Sequence, residues 1–141
     1  MFVTVYTDAS FKDHKASWAA WIKSEQGTLK LHDRILVSVD GPAHAEMVAV
    51  QRALHAVLRE QWPVSILFIN TDCMAVCHAF WPWMNQKNPN VNRIANAIKK
   101  TAKKNNITIR VKHVKAHTGN DDVRSYLNRW CDHHAKKSRP K

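Results

Sequence analysis

The sequence predicts an α/β fold: one mixed five-stranded sheet, three antiparallel strands then two parallel ones, with helices on both faces. Three observations predict it. The elements read βββ-α-β-α-α-β-α along the 141 residues. The run Val64, Ile66, Leu67, Phe68 and Ile69 is apolar on successive positions, as in a strand covered on both faces. Each of the last two strands is reached through helical sequence, the connection that lays strands parallel.

The elements follow in order. Residues 2–7 alternate as a strand and are expected to stop at an acid, Asp8, followed by the small Ala9 and Ser10. Residues 17–25 and 28–39 read as two more strands around a turn at Gln26-Gly27, a meander. "DGP" at 40–42 breaks the chain. A helix is expected from Ala43 to Gln61, with Met47, Val50, Leu54, Val57 and Leu58 on one stripe. "WPVSILFINTD" is the fourth strand. A short helix over 74–80 ends before Pro82, and "NQKNPN" is a loop. Asn92 to Asn105 forms a basic amphipathic helix with Ile94, Ala97, Ile98 and Ala102 inside. Ile107, Ile109, Val111 and His113 alternate as the fifth strand. "KAHTGNDD" is a polar loop, and Asp122 to Lys137 a last helix carrying Tyr126, Leu127, Trp130 and Cys131. One domain is expected over 1–137, with a basic tail at 138–141.

Composition narrows the function. Lys and Arg total 22 against 11 Asp and Glu, a net charge of +11, and thirteen of the 22 lie between Lys99 and Lys141. That excess points to a polyanion, most simply nucleic acid. Only 3 glycines argue against a glycine-rich phosphate loop. Cys73, Cys77 and Cys131 match no zinc pattern and read as small core residues in a reducing compartment. No apolar run reaches a membrane span and no targeting segment opens the sequence, so a cytoplasmic, membrane-free monomer is expected.

The acids carry the chemistry. Asp8 follows the first strand and Asp72 the fourth. If those strands are parallel neighbours, the two carboxylates stand side by side where ligands collect in open α/β sheets. Glu46 is expected in the first turn of the first helix, where the dipole favours a carboxylate. Asp132 lies on the last helix, four residues after Asn128 and on its face. Each acid alone has an ordinary reading: turn openers for Asp8 and Asp72, a helix-start charge for Glu46, a solvated face for Asp132. Together they repel and require cations, and an oxygen ligand set suits Mg²⁺ or Mn²⁺ over Zn²⁺.

"YTDAS", "AEMVAVQRAL", "INTD" and "VKAHTGNDDVRSYLNRWCDHHAKK" resemble the type 1 ribonuclease H family, in its order and spacing, from Phe2 to about Lys137. The last motif is the most specific. The resemblance implies a ribonuclease H fold and an endonuclease that hydrolyses the RNA strand of RNA–DNA hybrids. It implies two Mg²⁺ ions, with Mn²⁺ as a substitute, and 3′-hydroxyl and 5′-phosphate ends. It places Asp8, Glu46, Asp72 and Asp132 at the four metal-binding acids, with Asp8 bridging. His117 falls at a mobile histidine for proton transfer or product departure, and Asn128 at a substrate-contacting asparagine. Ser10 is a further candidate substrate contact.

The sequence departs from the family in three places. Ala9 stands where a glycine is common. Gly41-Pro42-Ala43-His44 replaces polar residues that touch the hybrid's minor groove, leaving His44 as the candidate donor. "WPWMNQKNPN" is too short for the basic insertion of some members. Lys99, Lys100, Lys103, Lys104 and the tail from Lys136 are candidate electrostatic replacements. Trp81 and Trp83 read as core packing, with stacking on substrate as the alternative. Two rival functions remain: a nuclease of this fold with another substrate, and a non-catalytic nucleic-acid-binding module.

Overall fold

The computed structural model describes residues 1–114 and 123–139, apart from the side chains of residues 123–126 and 128. The chain runs β1 (Phe2–Lys12), β2 (Lys15–Ser24), β3 (Gly27–Ile35), α1 (Pro42–Arg59), β4 (Ile66–Thr71), α2 (Met74–Phe80), α3 (Pro89–Lys104), β5 (Thr108–His113) and α4 (Val123–Ser138). The sheet order is β3-β2-β1-β4-β5. β1, β2 and β3 pair antiparallel, while β4 pairs parallel with both β1 and β5. This is the mixed sheet expected from the element order.

β1 does not stop at Asp8. It continues to Lys12, because β2 stays paired with it through Lys12↔Lys15. The hairpin closes on Asp13 and His14, with φ of 52° and 62°. Two consecutive positive φ values match a turn whose twist suits a hairpin, and Asp and His tolerate that region better than most residues. No glycine marks this turn in the sequence. β3 ends four residues sooner than expected, at Ile35. Leu36 and Val37 beyond it are 84% and 54% exposed.

α3 starts at Pro89 rather than Asn92. The Asn88 side chain accepts the N–H groups of Asn90 (3.0 Å) and Val91 (3.2 Å), and Pro89 has no N–H to satisfy. β4 begins only at Ile66, after Pro63, which cannot donate to a ladder.

The two sheet faces are covered differently. Val3, Val5, Ala20, Ile22, Leu67 and Ile69 join the stripes of α1 and α3 in the larger core. On the other face Tyr6, Ala19 and Trp21 meet Leu127, Cys131 and Ala135, which recur every four residues on α4. α1 is buried around more of its circumference than one stripe, because α3 also packs on it. Leu67 is 1% exposed on a central strand. Leu67→Ala is therefore expected to lower stability by about 2–5 kcal/mol in urea unfolding. No helix among the described residues is long and apolar enough to cross a membrane.

Candidate active site

The parallel pairing of β1 with β4 ends at Tyr6↔Asn70. Asp8 and Asp72 each lie two residues beyond that last pair, so both project where the strands part. α1 crosses the same end and contributes Glu46. One ligand oxygen from each of Asp8, Glu46 and Asp72 lies within 4.8 Å of the others. Asp8 is 3% and Glu46 8% exposed.

Glu46 is not in the first turn of α1. The helix starts at Pro42 behind Gly41, which puts Glu46 in the second turn, beyond the reach of the N-terminal N–H groups. Among the described residues a single backbone donor holds it instead. The Ala9 N–H reaches both Asp8 Oδ1 (2.9 Å) and Glu46 Oε1 (3.1 Å). That N–H ties the two carboxylates together, a role that residue identities alone do not reveal.

The electrostatics are unfavourable without a cation. Burial, partly countered by a hydrogen bond with Glu46, raises Asp8 to about 7, and the carboxylates of Asp72 and Asp132 push it the same way. Burial and then Asp8 raise Glu46 well above the usual carboxylate range. Asp8 Oδ2 and Glu46 Oε2 are buried with no hydrogen-bond partner among the described residues. Buried carboxyl oxygens without donors are costly, and hard oxygen donors of this kind suit a divalent cation such as Mg²⁺. The residues present therefore fit a metal.

Asp132 stands outside the group of three. It lies on α4, one-quarter exposed, with its Oδ2 3.2 Å from Lys136 Nζ. It is near enough for its charge to act on Asp8. Lys136 follows Asp132 by four residues, a spacing that makes the pair legible in sequence. Ser10 is buried on β1 and its Oγ accepts a hydrogen bond from Arg139 Nη1 at 2.9 Å. α4 and Arg139 thus extend one and two residues past the expected boundary at Lys137.

His44 is 4% exposed, two residues before Glu46. Its Nδ1 accepts the Asp40 N–H at 3.0 Å. The structure gives His44 an internal partner and does not bring it into the acid cluster. His117 and the Asn128 side chain lie outside the described residues.

Trp81 packs as expected, its Nε1 donating to the Val111 carbonyl at 3.0 Å. Trp83 does not. It is 71% exposed, stacked on Trp81 at 5.4 Å, because Pro82 turns the chain outward after α2. Lys99, expected to face a polyanion, donates to the Ala79 carbonyl at 2.8 Å and covers Phe80. A cation there satisfies the C-terminal end of α2.

Solved structures share this fold. The RNase H1 of the halophilic archaeon Halobacterium salinarum NRC-1 superposes with a TM-score of 0.75 at 16% identity, covering 98% of this chain and 97% of that one. The N-terminal RNase H domain of Rv2228c from Mycobacterium tuberculosis gives 0.76 at 13% identity, with 98% of each chain covered. LC11-RNase H1, isolated from compost by a metagenomic approach and solved in complex with an RNA/DNA hybrid, gives 0.74 at 15% identity, covering 96% and 98%. No curated protein matches the sequence. The fold is that of ribonuclease H. The family model described as RNase H matches residues 2–139, so the chain belongs to the RNase H family and is a ribonuclease H enzyme.

Proposed function

We propose that the protein is an endonuclease that hydrolyses the RNA strand of RNA–DNA hybrids, using divalent cations held by Asp8, Glu46 and Asp72 with Asp132 completing the set. The observation that carries this reading is the trio of converging carboxylates, two of them buried, in which two oxygens have no hydrogen-bond partner among the described residues and the carboxylates of Asp72 and Asp132 raise the proton affinity of Asp8 further. A similar fold solved with an RNA/DNA hybrid supports the substrate class.

When bound, two Mg²⁺ ions supply a neutralised phosphate and a water of lowered pKa. The chain's own residues prepare that chemistry. The Ala9 N–H fixes the spacing of Asp8 and Glu46. Burial of both acids keeps competing water away and strengthens their hold on a cation. Lys136 holds Asp132 at the margin of the cluster. The net charge of +11 draws the hybrid by its phosphates, as long-range attraction to any polyanion does. His117 moves a proton or assists product departure, and Asn128 touches the substrate. The products carry 3′-hydroxyl and 5′-phosphate ends, and the enzyme works as a cytoplasmic monomer.

The test labels each strand of a hybrid, a double-stranded RNA and a double-stranded DNA in turn, with Mg²⁺ present. Cleavage is expected only in the RNA of the hybrid. Equal cutting of either homoduplex would transfer the protein to another nuclease specificity, and no cutting at all would favour the binding-module reading. In the same assay His117→Ala is expected to stay within roughly a hundredfold of wild type, since a proton carrier is worth less than a metal ligand. A loss as large as that of Asp72→Asn would make His117 indispensable to the chemistry.

A further inference from the structure

α1 carries a second feature on the side away from the acids. Arg52, His55 and Arg59 recur at a spacing of three and four and line one wall of a 310 Å³ groove between α1 and β3. From Glu46 they lie about 240°, 180° and 220° around the helix and about 9–20 Å along it. The stripe therefore faces away from the acid cluster. Trp18 and the residues Asp33, Arg34 and Leu36 complete the lining.

The groove is net positive, with Arg34, Arg52 and Arg59 set against a single acid, Asp33, among the residues that line it. Among the described residues no ion pair involves Arg34, Arg52 or Arg59. The one acid in the lining, Asp33, uses its Oδ1 to accept the Arg34 backbone N–H. His55 is held below its ordinary value by burial and then by Arg52 and Arg59, a sign of local positive potential.

The groove is also apolar in part. Leu36 is 84% exposed beside it, and Trp18 is 9% exposed. β3 is an outer strand of the sheet, so one row of its backbone N–H and C=O groups has no strand neighbour. A phosphate backbone would use the guanidiniums and leave Leu36 without a partner. An extended peptide with alternating acidic and apolar side chains uses the arginines, the leucine and the strand edge together.

We propose that this groove docks an extended acidic peptide segment of a partner protein, its carboxylates on Arg34, Arg52 and Arg59 and its apolar side chains against Leu36. The docking site is separate from the acid cluster and independent of the hydrolytic reading. Charge complementarity selects the occupant, and the apolar wall selects a peptide over a nucleic acid.

The test is fluorescence anisotropy with the full chain and a dye-labelled peptide alternating Asp with Leu and Phe. Comparison probes are the same peptide with Lys for Asp and a single-stranded DNA of equal charge. The acidic peptide is expected to bind, the Lys peptide not. Arg52→Glu with Arg59→Glu, and separately Leu36→Ser, should each weaken the acidic peptide by at least about tenfold. At saturating hybrid the cleavage rate should stay at the wild-type level in both, since neither change touches the acid cluster. If the double Glu variant melts early, Arg52→Gln with Arg59→Gln replaces it and should show the same direction. Unchanged peptide affinity in the variants, or no binding by the wild type, overturns the proposal. A loss of DNA affinity as large as the loss of peptide affinity also overturns it and makes the groove a nucleic-acid contact.

Discussion

Asp8→Asn is expected to abolish hybrid cleavage, by at least roughly a thousandfold, and to raise the melting temperature of the metal-free protein at pH 8. Both effects follow from one feature. Asp8 is buried against Glu46 and Asp72, and its proton affinity rises to about 7, first through burial. At pH 8 the folded protein without metal must hold that charge beside others of the same sign. The amide removes it. Its oxygen still accepts the Ala9 N–H, and its NH₂ gives Glu46 a donor that a carboxylate cannot supply. The gain is expected to be about 1–3 kcal/mol, or several degrees for a chain of this size. The amide also takes one negative charge from the proposed metal site, so activity fails while the fold improves. Melting and cleavage are read on the same preparation. A variant that melts well below wild type in EDTA would show that the Asp8 carboxylate has a structural partner instead.

Removal of divalent cations produces the second large effect. EDTA is expected to stop cleavage entirely, and added Mg²⁺ or Mn²⁺ to restore it. The melting temperature should move with pH in a matching way. Asp8 has a higher proton affinity folded than unfolded, so the folded state keeps a proton that the unfolded chain has released. The associated stability is present below about pH 4 and is lost as pH rises through about 7. Metal-free wild type should therefore lose melting temperature between pH 5 and pH 8 by more than Asp8→Asn does. Mg²⁺ should recover most of the difference at pH 8 and little at pH 5, since binding stabilises only where the ligands are deprotonated. Parallel pH profiles of wild type and variant in EDTA would remove this account of the acids.

Much of the fold was legible because its signals are periodic. Apolar alternation marked the strands, and stripes at three and four residues marked the helices. The parallel placement of the first and fourth strands followed from the helical connection, and it brought Asp8 beside Asp72. What the sequence hid was local. Asp8 read as a strand end because a charge in a half-buried strand is costly, yet β1 runs on to Lys12. The strand tolerates it only because β4 diverges there and leaves room for Glu46 and Asp72. The Asp13-His14 turn lacks the glycine that usually announces a hairpin. Glu46 read as a dipole-stabilised acid, whereas the helix starts one residue earlier, at Pro42, which puts Glu46 in the second turn, where the Ala9 N–H meets it. Trp83 read as core because tryptophan usually is. Pro82 sends it outward onto Trp81. Arg139 read as tail, and its bond to Ser10 depends on a sequence separation of 129 residues that no local pattern reports.

Asp8, Glu46 and Asp72 are proposed to hold a divalent cation. The most direct measurement is a Mn²⁺ titration followed by the electron paramagnetic resonance of the free ion, on the metal-free protein at pH 8. Saturable binding by the wild type is expected, weakened by at least about tenfold in Asp8→Asn and in Asp72→Asn. Equal Mn²⁺ binding by the wild type and both variants would contradict it.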